Sequence, residues 1–224
     1  MFQSDPFSII VLFVGLSLLP FVAMIATSYL KIVVVMSLIR NALGIQSIPP
    51  NMVVNALAMI LTFYIMAPMA SESWNKIAES QRSEASTAEQ SSTISLSSFD
   101  FGEAAEPFRK FLSDHTSQRE RAFFVHTAEN LWGKDGQPAV VDPESFCILL
   151  PSFCVSELTK AFQIGFLVYL PFIAIDIIVS NILLAMGMMM VSPVTISLPF
   201  KLLLFVMVNG WTLLIQGLIR GYII

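Results

Sequence analysis

The chain has 224 residues, 55% of them hydrophobic and only 12% charged, with a mean hydropathy of +0.74. A soluble domain carries about a quarter of its residues as Asp, Glu, Lys and Arg, so this balance excludes an ordinary water-soluble globule and indicates a membrane protein or one built like it. The net charge is −4 and no basic tract interrupts the polar part, which removes the electrostatic footprint that nucleic acid requires.

The start, Met1-Phe2-Gln3-Ser4-Asp5-Pro6, has no basic n-region, and no small-x-small site closes the apolar run after it, so that run is expected to be retained as structure. From Phe7 to Ile39 the only charge is Lys31. This is longer than the ~20 residues of one bilayer crossing, and with Pro20 in its middle it predicts one long kinked helix or two shorter ones. The polar turn Arg40 to Asn51 follows, with Gly44 as a helix stop and Pro50-Asn51 resetting the chain. Met52 to Ala70 is a second apolar helical run, expected to close at Pro68. Lys31 and Arg40 flank the turn between the runs, and the excess of positive charge assigns it to the cytoplasmic side.

Residues 71–145 are different, with 7 Lys/Arg and 13 Asp/Glu against 5 and 3 in the rest of the chain. The composition divides the chain into N-terminal hydrophobic helices (1–70), an acidic helical insert outside the membrane (71–145) and a C-terminal hydrophobic hairpin (146–224). Within the insert, residues 81–98 are rich in Ser, Thr, Glu and Gln and are expected to form a mobile loop. Glu103 to Asn130 carries Phe108, Phe111, Leu112, Phe123 and Phe124 at spacings that suit an amphipathic helix or a helical pair. Gly133 to Gly136 is a turn signal, and Pro143 leads into the next apolar run.

Phe146 to Met190 has three charges, Glu157, Lys160 and Asp176, and Val194 to Ile219 has only Lys201. Pro151, Pro171, Pro193 and Pro199 punctuate this half, and helices interrupted so often need neighbours to satisfy their backbones. Between the two runs lies Leu183-Leu184-Ala185-Met186-Gly187-Met188-Met189-Met190-Val191-Ser192-Pro193, a forced break in apolar surroundings. Backbone freed at such a break must be buried in protein or line water, so a pore is one natural home for it. Methionine, unbranched and polarizable, suits a constriction that closes on itself and moulds round varied passengers; it equally suits gap filling in a core.

The charges in the apolar runs are candidates for buried ionic contacts. Glu157 and Lys160, three apart, can pair on one helix face. Asp176 has no local partner, and since a lone carboxylate in hydrocarbon costs about 2.5 to 3.5 kcal/mol on insertion scales, it is expected to meet Lys201 across the hairpin, or else backbone or a neighbouring subunit. Cys147 and Cys154 are seven apart, about 10 Å along a helix, and are expected as free buried thiols. His115 and His126 are expected to be solvated and make no metal cluster. There is no H-E-x-x-H, G-x-S-x-G or P-loop, so no catalytic residue, cofactor or metal is assigned. Gly15-Leu16-Ser17 has no in-plane base, and a single intramembrane Asp offers no aspartyl dyad. Gly217 to Gly221 is a G-x-x-x-G of low specificity, weakened by Arg220.

Three stretches together resemble the SctR/FliP family, the export-gate subunits of type III secretion systems and of the flagellar export apparatus. The first is Arg40-Asn41-Ala42-Leu43-Gly44 with Gln46, Pro49, Pro50 and Asn51. The second is Ser156-Glu157-Leu158, Ala161-Phe162, Ile164-Gly165-Phe166, Tyr169-Leu170-Pro171-Phe172 and Asp176. The third is Leu183 to Met190, Ser192-Pro193, Ile196 to Lys201 and Gly210-Trp211. The match covers both apolar halves, and the acidic middle matches in character alone. Asn209 stands where many relatives have Asp, so no ionic role is assigned there.

The resemblance implies an all-α fold of hydrophobic, proline-broken helical hairpins with a small helical periplasmic insert, assembling as a pentameric ring with SctS-type and SctT-type subunits (FliQ and FliR in flagella). It implies an inner-membrane protein, multi-pass by prediction, whose assembled complex sits largely on the periplasmic side. The expected function is a channel for unfolded proteins, beside an SctU-type subunit and lipid, with Met188, Met189 and Met190 as the pore gasket, Gly187 permitting the bend and Met186 flanking it. Ser192-Pro193 leans toward a virulence-type injectisome. A flagellar gate, a purely structural assembly scaffold and a proton-coupled transporter using Asp176 and Glu157 are the other readings.

Overall fold

The structure, a computed structural model, describes residues 6–45, 48–87, 101–133 and 139–223. Eight helices and no strand occur among the described residues: α1 (Pro6–Ile25), α2 (Tyr29–Ala42), α3 (Asn51–Thr87), α4 (Phe101–His115), α5 (Gln118–Trp132), α6 (Phe146–Ala185), α7 (Pro193–Met207) and α8 (Gly210–Arg220). The protein is all-α, as its long, sparsely charged apolar runs require.

The prolines break fewer helices than their positions predict. Pro20 lies inside α1, and the first run divides later, at Ala26 to Ser28. Pro68 does not close the second run, because α3 continues through it to Thr87. The stretch 81–98 therefore begins in helix for its first seven residues, while 88–98 lie outside the described residues. Pro151 and Pro171 both sit within α6, which is one continuous helix of 40 residues. Each interior proline forfeits one backbone hydrogen bond, and in long apolar helices that loss is absorbed by local adjustment and neighbouring groups. At 1.5 Å per residue α6 is about 60 Å long, twice the hydrocarbon thickness of a bilayer.

Among the described residues two helices, Asn51–Ala78 of α3 and all of α6, are long and apolar enough to cross a membrane, or up to four spans if each bent helix pair forms one.

The chain folds as two units, each made of separated stretches. The first comprises residues 1–27 and 63–156. Its centre is the α4–α5 helical pair against the start of α6, with Phe111, Leu112, Ala128, Ile148, Leu149 and Phe153 buried. Phe108 stacks on Phe146 at 6.2 Å, and Phe111 packs against Phe153 at 5.7 Å. Arg121 ties the pair together by donating to the Ser113 carbonyl at 2.6 Å and its Oγ at 2.9 Å. His115 belongs to this core. It is buried, with Nδ1 donating to the Phe111 carbonyl at 2.9 Å, contrary to the expectation of a solvated histidine, while His126 is exposed. An i,i+4 carbonyl accepts from the ring and allows burial beside Phe111. The two cysteines are free, but Cys147 is exposed and Cys154 half-buried, so the expectation of buried thiols fails because both fall off the packed stripe of Ile148, Leu149 and Phe153. The turn at 134–136 lies outside the described residues.

The second unit comprises residues 28–62 and 157–224. α2 contributes Ile32, Val35, Met36 and Ile39, the i, i+3, i+4, i+7 stripe of a helix with one inward face. Val54, Ala58 and Leu61 form the corresponding stripe on α3. Gly165 lets α2 and α6 approach, since a Cβ there would stand 2.3 Å from Leu38 Cδ1. Outside these stripes α6 exposes Phe162, Phe166, Leu167, Leu170, Ile177 and Ile182, an apolar surface far beyond what a soluble monomer presents.

Candidate functional site

The break between α6 and α7 is a built helix end. Gly187 takes the left-handed conformation at φ +73°, its N–H donates to Leu184 O at 3.0 Å, and the Met188 N–H donates to Leu183 O at 2.9 Å. These are the paired bonds of a Schellman stop, in which glycine avoids the strain that a Cβ brings to that conformation. Val191 N–H reaches Met188 O at 3.4 Å, and Pro193 opens α7 at its first position, where a missing N–H costs nothing. Met186, Gly187, Met188, Met189 and Met190 all stand exposed in the single chain, Met189 at 81%. The local chemistry of the turn thus projects four thioether side chains from one hairpin tip.

Behind the tip, Asp176 on α6 and Lys201 on α7 meet at 2.6 Å. Ser197 Oγ donates to the other carboxylate oxygen of Asp176 at 2.5 Å, and also contacts Val194 O at 3.2 Å. Lys201 Nζ donates in addition to the Ala42 carbonyl at 3.2 Å. That carbonyl is the last of α2, whose preceding ones at Arg40 and Asn41 are taken by Ile45 and Gly44 in a second Schellman stop. Lys201, 3% exposed, therefore completes the C-terminal cap of α2 while neutralising Asp176. Gly44, at φ +79°, is the glycine that makes this stop possible. Arg40 secures the turn beyond it by donating to Pro49 O at 3.1 Å and Asn51 Oδ1 at 2.5 Å.

A second cluster surrounds Glu157, which has no solvent exposure. Lys160 Nζ lies 2.9 Å from Oε1 and Lys31 Nζ 3.4 Å from Oε2, and the Tyr222 hydroxyl donates to Oε2. The Lys31 ammonium also sits over the Tyr222 ring, 4.0 Å from its centroid. Burial, and after it the negative charge of Glu157, push the Tyr222 phenol well above the ordinary tyrosine range, so it remains a donor throughout physiological pH.

All four charges singled out from the sequence are thus in ionic contact, as two separate clusters. Lys31, Tyr222 and Ser197 were missed as their partners. Lys31 had a signal, being the only charge in 33 residues of apolar sequence. Tyr222 and Ser197 had none, because neither a tyrosine near a chain end nor a helical serine is unusual. Among the described residues no group of three or more His, Cys, Asp or Glu could hold a metal.

The model of the FliP family matches residues 12–218. Among curated proteins, the chain is 50% identical over 223 residues to Yop proteins translocation protein R of Yersinia pestis, covering 97% of each chain. It is 46% identical to the hypersensitivity response secretion protein HrcR of Ralstonia nicotianae, covering 96% of each. Against the flagellar biosynthetic protein FliP of Bacillus subtilis identity is 40%, over 98% of this chain and 93% of that one.

Proposed function

The chain belongs to the FliP family of type III secretion and flagellar export proteins, and from that premise we propose that it is a conduit subunit of an injectisome export gate, with Met186 to Met190 forming the gasket that closes the pore. The observation that carries this reading is the hairpin tip itself. A left-handed glycine stop and an N1 proline hold Met186, Met188, Met189 and Met190 in the open, where flexible thioethers from several copies can meet and close a hole. The apolar flank of α6 supports a ring of copies in the inner membrane, joined by SctS-type, SctT-type and SctU-type subunits, with unfolded secreted proteins passing through its centre. A length of about 60 Å for α6 supports an assembly that rises out of the bilayer toward the periplasm.

The subunit acts passively. Glu157 and Asp176 are each held by lysine and hydroxyl groups, the arrangement of structural clamps, and this favours a conduit over a proton relay. Higher identity to the Yersinia translocation protein (50%) than to the Bacillus flagellar protein (40%) supports the injectisome assignment.

Replacement of Met188, Met189 and Met190 together by Ala tests the gasket. The complex is expected to assemble at wild-type yield, while cells expressing it leak small ions at several times the wild-type rate. Normal ion retention with normal secretion would remove the gasket, and loss of assembly would favour a scaffold with methionines in its core.

A further inference from the structure

Within the second unit, α6, α7 and α8 enclose a groove of about 530 Å³. Ile164 and Val168 of α6, Leu204 of α7, and Leu213, Gly217 and Leu218 of α8 are among the residues that line it. Among the described residues the whole lining is apolar, proline or glycine, so no side chain in the groove can hydrogen-bond to a ligand. Along α6 it runs from Ile164 to Phe172, about 12 Å at the rise of a helix. Gly217 keeps part of it open, because a Cβ there would meet nothing within 4 Å.

One end of this apolar groove is cationic on both walls. On α6, Lys160 stands one turn before Ile164 on the same face, with 39% of its side chain exposed. On α8, Arg220 is exposed in the last turn, three residues beyond Gly217 and on its face. The two walls converge here, since Tyr222, two residues past Arg220, bonds the carboxylate of Glu157 that Lys160 also holds at 2.9 Å. Lys31 is a third cation at this end, with its ammonium 3.4 Å from Glu157 and 3.5 Å from where a Cβ on Gly221 would stand. The charge there is not balanced. The unit has five cations, Lys31, Arg40, Lys160, Lys201 and Arg220, and two acids, Glu157 and Asp176. Asp176 is taken by Lys201, which leaves Glu157 alone to face Lys31, Lys160 and Arg220.

We propose that the groove is a binding site for an anionic phospholipid, with an acyl chain lying along it and the phosphate at its foot between Arg220 and Lys160. Hydrocarbon suits a lining that offers no polar partner, and a surplus of positive charge at one end suits the charged end of the same molecule. Basic pockets between apolar helices hold anionic headgroups in this way, and the guanidinium of Arg220 can bond two phosphate oxygens at once. An apolar helix from a partner would fill the groove and leave the cations at its foot without a counter-charge. A zwitterionic lipid would bring its own ammonium group into that surplus.

Native mass spectrometry on the complex purified with its partner subunits tests this, with phosphatidylglycerol and phosphatidylcholine of identical acyl chains titrated in turn. Wild type is expected to bind phosphatidylglycerol about five-fold more tightly, the worth of one basic residue at a headgroup, and Arg220→Gln to bring the two lipids close to equality. Gly217→Leu places a side chain in the open space of the groove, and is expected to remove one phosphatidylglycerol per copy of the chain at unchanged subunit composition. Equal binding of the two lipids by wild type, a full preference in Arg220→Gln, or an unchanged lipid count in Gly217→Leu would each overturn the site. Loss of subunits from the Gly217→Leu complex would overturn it as well, by showing that protein fills the groove.

Discussion

Asp176 and Lys201 stand 25 residues apart and meet at 2.6 Å because the glycine stop at 187 and the proline start at 193 turn the chain back on itself. The pair costs desolvation on both sides and recovers it only through complete satisfaction: Ser197 serves the second carboxylate oxygen and Ala42 O the ammonium. Removing Asp176 leaves a buried ammonium without its counter-charge, whereas removing Lys201 leaves a carboxylate that is 31% exposed and still bonded to Ser197. Asp176→Asn or Lys201→Met is expected to destabilise the purified complex by on the order of 3 kcal/mol, and the double variant to lose clearly less than the sum of the two. Thermal denaturation of the four proteins in detergent checks this, and strict additivity would show the two groups to be independent. Lys201 carries a second consequence, because its loss also uncaps α2.

At the scale of elements, the contact between α2 and α6 depends on a missing side chain. A methyl group on Gly165 would fall 2.3 Å from Leu38 Cδ1 and 3.1 Å from its Cβ, so the helices must move apart or Leu38 must leave its rotamer. Gly165→Ala is expected to cost about 1–3 kcal/mol, the usual range for overpacking, and Leu38→Ala in the same chain to return part of that loss. Chemical denaturation of both variants measures it; a fully neutral Gly165→Ala would mean that the crossing is loose. Gly165 was visible in the sequence only as part of a family motif, with no physical signal that a partner helix lay against it. The helix stops at Gly44 and Gly187 were plainer, since a glycine closing a long apolar run, with a proline a few residues on, is a local code that needs no tertiary contact.

For the whole molecule the dominant fact is apolar surface without a cover. Phe162, Phe166, Leu167 and Leu170 on α6, Phe63 and Tyr64 on α3, and the methionine tip all face outward in the single chain. Surfaces of this extent are interfaces or lipid contacts, and the chain alone is expected to require detergent and to self-associate in it. Native mass spectrometry in mild detergent should give oligomers even in the absence of partner subunits, and a stable, soluble monomer would contradict this account of the exterior.

What the sequence determined by itself was set by local chemistry and composition. Long uncharged runs had to be helices, since backbone amides in apolar surroundings must pair within their own segment. Glycine punctuation fixed where α2 and α6 end, and sparse charges in those runs had to find partners or be neutral. Tertiary structure decided the rest. Pro20, Pro68, Pro151 and Pro171 stay inside helices because one lost hydrogen bond is small beside the bonds and packing of a long apolar helix, whereas the first run divides at Ala26 to Ser28, where no breaker marks it. The partners of Glu157 come from α2, from its own next turn and from the last residues of the chain, and only the packing of α8 brings a tyrosine 65 residues away to that carboxylate. Such contacts depend on how helices cross, and crossing is governed by the summed fit of many side chains that no local pattern records.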